Sequence, residues 1–302
     1  MMSLLLATVA QILHCGLVLL AAPIIGGLLR WIEARVAGRS GPPPVQAWHD
    51  LIRLTRKQST AAENASALFQ AAPPAVLAAT ALAVSLVPSF STGMLFAGMS
   101  DLLLLAGLIA LPRACLALAA LDAGTARGGL AAAHAMSLTC FVDPAVFLAI
   151  IALGILGSTT NLDLLVGLQR VGMLQPASAC TLAAVSLSAV TIASADLSDL
   201  LAEFSGVDLA IVAFAEDLRL LFWLNLIAAV FLPTSMANAA AGPVAWIVGL
   251  LAWAVKLAVL IGALVMLRYA IGHRQSGSML LGATCVFGLL ATVLALASSV
   301  AV

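Results

Sequence analysis

The chain has 302 residues, 63% of them hydrophobic and only 9% charged, and thirteen basic residues balance thirteen acidic ones. Soluble domains run near ~25% charged, so a fold bathed in water on all sides is excluded: it would expose far more apolar surface than it could bury. Zero net charge also removes any overall attraction to nucleic acid.

In chain order the apolar runs are Leu4–Leu29, Pro73–Val87, Leu102–Leu121, Leu130–Leu156, Ala177–Ser194, Leu218–Ala240, Val244–Leu267 and Met279–Val300. A hydrocarbon core ~30 Å thick takes about 20 helical residues. Lipid offers main-chain polar groups no partner outside their own helix. The sequence therefore predicts an all-α, polytopic membrane helix bundle of about eight transmembrane helices, one integral membrane domain over 1–302. The second run is short, and the fifth is rich in Ser and Thr. Pro23, Pro112, Pro144 and Pro233 fall within or near the ends of these runs and should kink them. The first run has no basic leader and exceeds the apolar core of a secretion signal, so it is expected to remain as a helix.

Basic residues orient the bundle. Arg30, Arg35, Arg39, Arg53, Arg56 and Lys57 follow the first run, and Arg127, Arg219, Arg268 and Arg274 fall in later loops on the same side. The other side offers Arg170, while Arg113 and Lys256 lie inside runs. The positive-inside rule then makes the odd-numbered loops cytoplasmic and both termini external. Cys15, Cys115, Cys140, Cys180 and Cys285 stand singly in apolar runs and read as small hydrophobes of the core. His14, His49, His134 and His273 form no cluster. With no metal spacing and no nucleotide-binding loop, no metal or cofactor is expected in this chain, and any redox chemistry it serves belongs to other chains.

The cytoplasmic loop 30–72 holds the most informative stretch. Gly41 and the prolines at 42–44 are stiff and non-helical. Beyond them Trp48, Leu51, Ile52 and Thr55 fall at helical spacing, with His49, Asp50, Arg53, Arg56 and Lys57 turned away. This predicts a short amphipathic cytoplasmic helix lying on the bilayer surface. By pattern alone its basic face suits anionic lipid headgroups, at ~1 kcal/mol per basic residue.

The residues of this loop carry a further signal. Arg35, Arg39, Gly41, Pro42, Gln46, Asp50, Arg53 and Lys57 resemble, in register, the first-loop signature of the complex I membrane subunit 1 family. That family includes the H subunit of bacterial NADH–quinone oxidoreductase and the matching subunits of group 4 hydrogenases (hydrogenase-4) and formate hydrogenlyase. Gln58 stands where the family usually has Glu. The similarity continues through Asn64 and Leu68–Pro73, Asp101–Arg113, Leu121-Asp122, Gly128-Gly129 and Asp143-Pro144, and in Leu201–Ala210. The hydrogenase branch is the nearer match. Two features depart from it. Ala133, His134 and Ala135 replace that branch's Ser-Arg-Glu, and the acidic stretch before Glu203 is reduced to Asp196 and Asp199.

The resemblance implies an anchoring subunit in a bacterial cytoplasmic (inner) membrane. It further implies a soluble iron–sulfur subunit docked on the first loop, a hydrogenase-like large subunit, antiporter-like membrane subunits and surrounding lipid, with no nucleic acid. Iron–sulfur clusters, and nickel–iron where retained, would reside in those partners. Charges inside the apolar runs default to a functional reading, because each costs several kcal/mol unless paired or hydrated. Asp143 and Lys256 are the leading candidates for ion translocation, with Arg113 beside them, and either Lys256 or Arg113 could pair with Asp143. Glu203, Glu216 and Asp217 follow, near the cytoplasmic mouth in the acidic loop 195–217. Glu33 could join them, although pairing with Arg30 at the surface is the plainer expectation. A structural anchor without ion conduction is the first alternative. A self-contained secondary transporter is the second, and it would show an internal repeat that the runs lack.

Overall fold

The structure, a computed structural model, describes residues 2–60, 62, 65–170, 200–233 and 235–271. Over these residues the chain forms α1 (Met2–Val36), α2 (Gln46–Thr55), α3 (Ala67–Leu86), β1 (Ser91–Thr92), α4 (Leu102–Asp122), α5 (Ala126–Gly157), α6 (Leu162–Arg170), α7 (Gly206–Phe231), β2 (Ala237–Asn238) and α8 (Pro243–Ile271). Four helices, α1, α3, α4 and α8, are long and apolar enough to cross a membrane. The α5 helix is 32 residues long, and α7 is broken in composition by Glu216, Asp217 and Arg219. This is a helical membrane bundle. The expected runs Ala177–Ser194 and Met279–Val300 lie outside the described residues.

Element boundaries moved where capping chemistry intervenes. Helix α3 begins at Ala67, six residues before the expected Pro73, because the Ser66 hydroxyl accepts from the Leu68 amide. Pro73 and Pro74 thus lie inside the helix. The run expected at Leu218–Ala240 is instead the helix Gly206–Phe231. It stops at Phe231 because Leu232 precedes Pro233 and is driven out of helical backbone. Pro233 therefore ends a helix where a kink was expected. Residues 206–217, read as acidic loop, are its first three turns.

The α7 helix is the hub, packing against α1, α2, α3, α6 and α8. Lipid tails are as apolar as leucine, so dispersion and close approach hold such helices together, not exclusion of water. The buried Ala210, Ala215, Ala228 and Ala229 of α7 allow that approach. The helices gather two sets of ends. One end holds the first loop, α2, the α4–α5 turn and the start of α7, and it carries most of the basic residues. We call it the basic end. At the opposite end β1 and β2 pair in parallel, with Ser91 beside Ala237 and Thr92 beside Asn238. The α2 helix turns Ala47 and Leu51 inward, and its Ile52 and Thr55 are exposed. Leu51 and Trp48 of the expected apolar stripe meet the bundle, with Trp48 against Phe214 of α7.

Candidate functional site

Arg113 and Asp143 meet in the interior. Arg113, after Pro112 on α4, donates from Nη2 to the Asp143 Oδ1 on α5 at 2.7 Å. One helix away, Arg219 of α7 is paired with Glu216 a turn earlier, at 2.6 Å. Arg219 and Glu216 lie within electrostatic reach of Arg113, and Arg219 within reach of Asp143. Two guanidinium and two carboxylate groups thus form a cluster of zero net charge across α4, α5 and α7. Neutrality makes it tolerable: an isolated buried ion costs several kcal/mol, and attraction repays this only with close geometry. Arg113 Nε and Glu216 Oε1 are buried with no hydrogen-bond partner among the described residues.

The next residue, Asp217, is rotated by about 100° around the helix and faces elsewhere. Its carboxylate lies 3.6 Å from Arg30 of α1 and against Gly26, where any Cβ would collide with it. Beside this pair is a cavity of ≈ 330 Å³, lined among others by Gly27, Arg30, Pro42, Gln46, Asp50 and Asp217. Gln46 Nε2 donates to Asp50 Oδ1 at 3.2 Å, and Arg53 stands 3.3 Å from the same oxygen. Asp217 and Glu216, adjacent in sequence, therefore present one carboxylate to the cavity and the other to the interior cluster.

The first-loop residues divide. Pro42, Gln46 and Asp50 line the cavity. Arg35, Arg39, Arg53 and Lys57 are exposed at the basic end, with Arg35 stacked over the Trp31 ring at 5.2 Å. Gly41 is pressed on Trp31 and Ala34 so closely that a Cβ would lie 2.7 Å from the Ala34 methyl.

Comparison with known proteins places this arrangement. Residues 8–298 match the family model described as NADH dehydrogenase. The chain belongs to that family. Hydrogenase-4 component C of Escherichia coli (strain K12) is 26% identical over 234 residues, covering 74% of this chain and 74% of that one. Formate hydrogenlyase subunit 4 of the same organism is 29% identical over 146 residues, 48% of each chain. Among solved structures, a chain of the membrane-bound sulfane sulfur reductase, an archaeal respiratory membrane complex, shares the fold. Its TM-score is 0.77 at 19% identity, covering 95% of this chain and 98% of that one.

For this member of the NADH dehydrogenase family, the resemblance seen in the first loop agrees with the match over the whole chain. Its candidate ion-handling residues do not form one group. Asp143, Arg113 and Glu216 come together with Arg219, whereas Asp217 faces the cavity with Arg30. Lys256 does not: it stands on α8 with Arg170, not a carboxylate, within electrostatic reach. Glu203 accepts instead from the Thr125 hydroxyl at 2.9 Å, at the α4–α5 turn. Glu33 pairs with Arg268, not Arg30, because Arg30 is turned to Asp217. Arg219 is the residue that sequence reading missed. It counted as a loop cation, yet its side chain is only 3% exposed within α7. Its spacing of three from Glu216, the spacing of a helical ion pair, was the available signal.

Proposed function

We propose that this chain is the membrane anchor and ion-coupling subunit of a complex-I-like or group 4 hydrogenase-like oxidoreductase. The Lys/Arg bias supports a position in the bacterial cytoplasmic membrane with both termini external. Arg35, Arg39, Arg53 and Lys57 form the exposed cationic surface on which a soluble iron–sulfur subunit docks. That subunit and a hydrogenase-like large subunit carry the iron–sulfur clusters and any nickel–iron site, and antiporter-like subunits lie alongside in the membrane. The observation that carries the reading is that Asp217 faces the cavity under α2 while the adjacent Glu216 joins Arg219, Arg113 and Asp143 in the apolar interior. Asp217 takes up or releases the ion at the cavity, and the interior carboxylates relay it. A buried carboxylate with a cation beside it is a group whose charge responds to small shifts in its surroundings.

The neutral cluster itself favours a second reading, a structural anchor without ion conduction. The ion pairs Arg113–Asp143 and Arg219–Glu216 are closed, and Ala135 stands where hydrogenase-type relatives carry a carboxylate.

Two sets of variants test these readings in the assembled complex. Reversing Arg39 and Arg53 to Glu should release the soluble module and leave the membrane subunit inserted. A module that stays bound through that change in high salt reduces the loop to a lipid-facing surface. Asp143→Asn, with Arg113→Gln/Asp143→Asn as the charge-balanced control, should abolish proton uptake by vesicles while assembly and electron transfer persist. Fully assembled complex that still pumps at the parental rate leaves the structural anchor.

A further inference from the structure

Lys256 is the fourteenth of the 29 residues of α8, some ~20 Å from the start of that helix at 1.5 Å per residue. A lysine side chain cannot snorkel across half a hydrocarbon core of about 15 Å. Among the described residues it makes no hydrogen bond and no ion pair, and the charged group in its electrostatic reach, Arg170, has the same sign. The chain's own carboxylates are committed elsewhere. Of the thirteen, Glu63, Asp196 and Asp199 lie in stretches that the sequence assigns to the basic-end loops, leaving ten described. Nine of these ten are engaged with other groups. The tenth, Asp208, stands in the first turn of α7 at the basic end. The runs Ala177–Ser194 and Met279–Val300 contain no acidic residue.

Among the described residues, Lys256 sits at the edge of a bare face. Leu251, Val255 and Val259 beside it are 66%, 64% and 60% exposed. A third of the apolar window of α8 is buried, against 44–50% in α1, α3 and α4. Lipid satisfies the valines and the leucine but not a central ammonium, which calls for an acceptor at mid-membrane depth, and a carboxylate is the acceptor that also cancels its charge.

We propose that this face of α8 is the contact for a transmembrane helix of another membrane subunit, one that presents an Asp or Glu to Lys256 inside the bilayer. This rests on the chain's place among other membrane subunits. The Lys256 ammonium and the incoming carboxylate neutralise each other, and removing one partner leaves the other charge unpaired inside the bilayer. Orientation follows as well, because a single central charge pair fixes the register of two otherwise smooth apolar helices.

The purified native complex tests it. A photoreactive phenylalanine at Val255 or Val259 should yield an adduct with one membrane subunit, on a span that carries a central Asp or Glu. Lys256→Glu should lower the recovery of that subunit about tenfold or more while the soluble module stays attached, and Lys256→Arg should keep it. Exchanging the charges, Lys256→Glu with that acidic residue changed to Lys, should restore recovery. Adducts with lipid alone, an adduct span without a carboxylate, or full subunit content in Lys256→Glu each overturns the proposal. Failure of the parental complex to hold its soluble and membrane arms together would instead count against the anchor reading.

Discussion

The two ends of the bundle are held by different chemistry. At the basic end and just inside it, helices are joined through full charges, Arg30 to Asp217, Glu33 to Arg268 and Arg113 to Asp143, and Arg219 pairs with Glu216 within α7. At the opposite end the joints rest on hydroxyl, carbonyl and main-chain groups, and none of those named pairs two opposite charges. The Phe90 carbonyl accepts from the Ala237 amide at 2.9 Å, and His14 shares a 2.7 Å hydrogen bond with Ser89. The Thr160 hydroxyl donates to Asp101, and even Arg170 turns its guanidinium to the Met236 carbonyl at 3.0 Å. A joint without opposite charges offers no exchange within an ion pair. Charged joints next to a cavity allow one, and they also make that half depend on balance.

The largest expected effect tests that balance. Arg113→Ala should destabilise the subunit by about 3 kcal/mol, since it leaves the half-buried Asp143 without its partner and the cluster with one carboxylate in excess. The double variant Arg113→Met/Asp143→Leu should recover most of the loss, read as thermal unfolding in detergent. If the single and double variants unfold together, the cluster is not held by its charge.

A smaller effect concerns how the first loop is fastened to α7. Gly206 has φ +55, and a Cβ there would lie 2.5 Å from the Gln58 carbonyl carbon and 2.7 Å from the Ser59 nitrogen. Gly206→Ala should therefore cost at least the ~1–2 kcal/mol of left-handed backbone. It should also loosen the contact of Thr60 with Ser205, whose hydroxyl accepts from the Thr60 amide at 2.8 Å. Faster tryptic cleavage after Arg56 and Lys57, with the opposite end unchanged, is the expected readout.

The smallest effect belongs to the opposite end. The Thr160 hydroxyl and the Leu103 and Leu104 amides hold the Asp101 carboxyl below the usual carboxylate range. A lowered value means the charged form is favoured in the folded state. Its contribution is complete above the ordinary value of about 4 and fades as pH falls through the lowered one. Asp101→Ala should remove a helix cap worth ~1 kcal/mol, and it should flatten the loss of stability below about pH 4. A parental acid profile retained in Asp101→Ala would assign that loss to other carboxylates.

Much of this was legible in the residues. Apolar runs of Ala, Leu and Val gave the helices and their order, because in lipid a long apolar run has only one way to satisfy its backbone. The Arg35–Lys57 motif, with Asp143-Pro144 and Leu201–Ala210, gave the family. Local chemistry was less legible: Ser66 starting α3 and Pro233 stopping α7 each shifted a boundary, since capping and pre-proline sterics act below the scale of a hydropathy run. Asp143 could be singled out by its depth, but its choice of Arg113 over Lys256 could not.

What the sequence alone determined, then, is that the chain is a multi-pass membrane bundle, which residues carry charge into it and which loop is exposed and basic. Those follow from composition, periodicity and motif, all properties of short stretches. Only the tertiary structure decided that Arg219 is an interior residue, that Glu216 and Asp217 face a cluster and a cavity on either side of one helix, and that Glu33 and Arg30 take different partners. Ion pairs between helices depend on how each helix is rotated about its own axis. That rotation is set jointly by small residues on α7 and close contacts such as Gly26 with Asp217, between positions far apart in sequence.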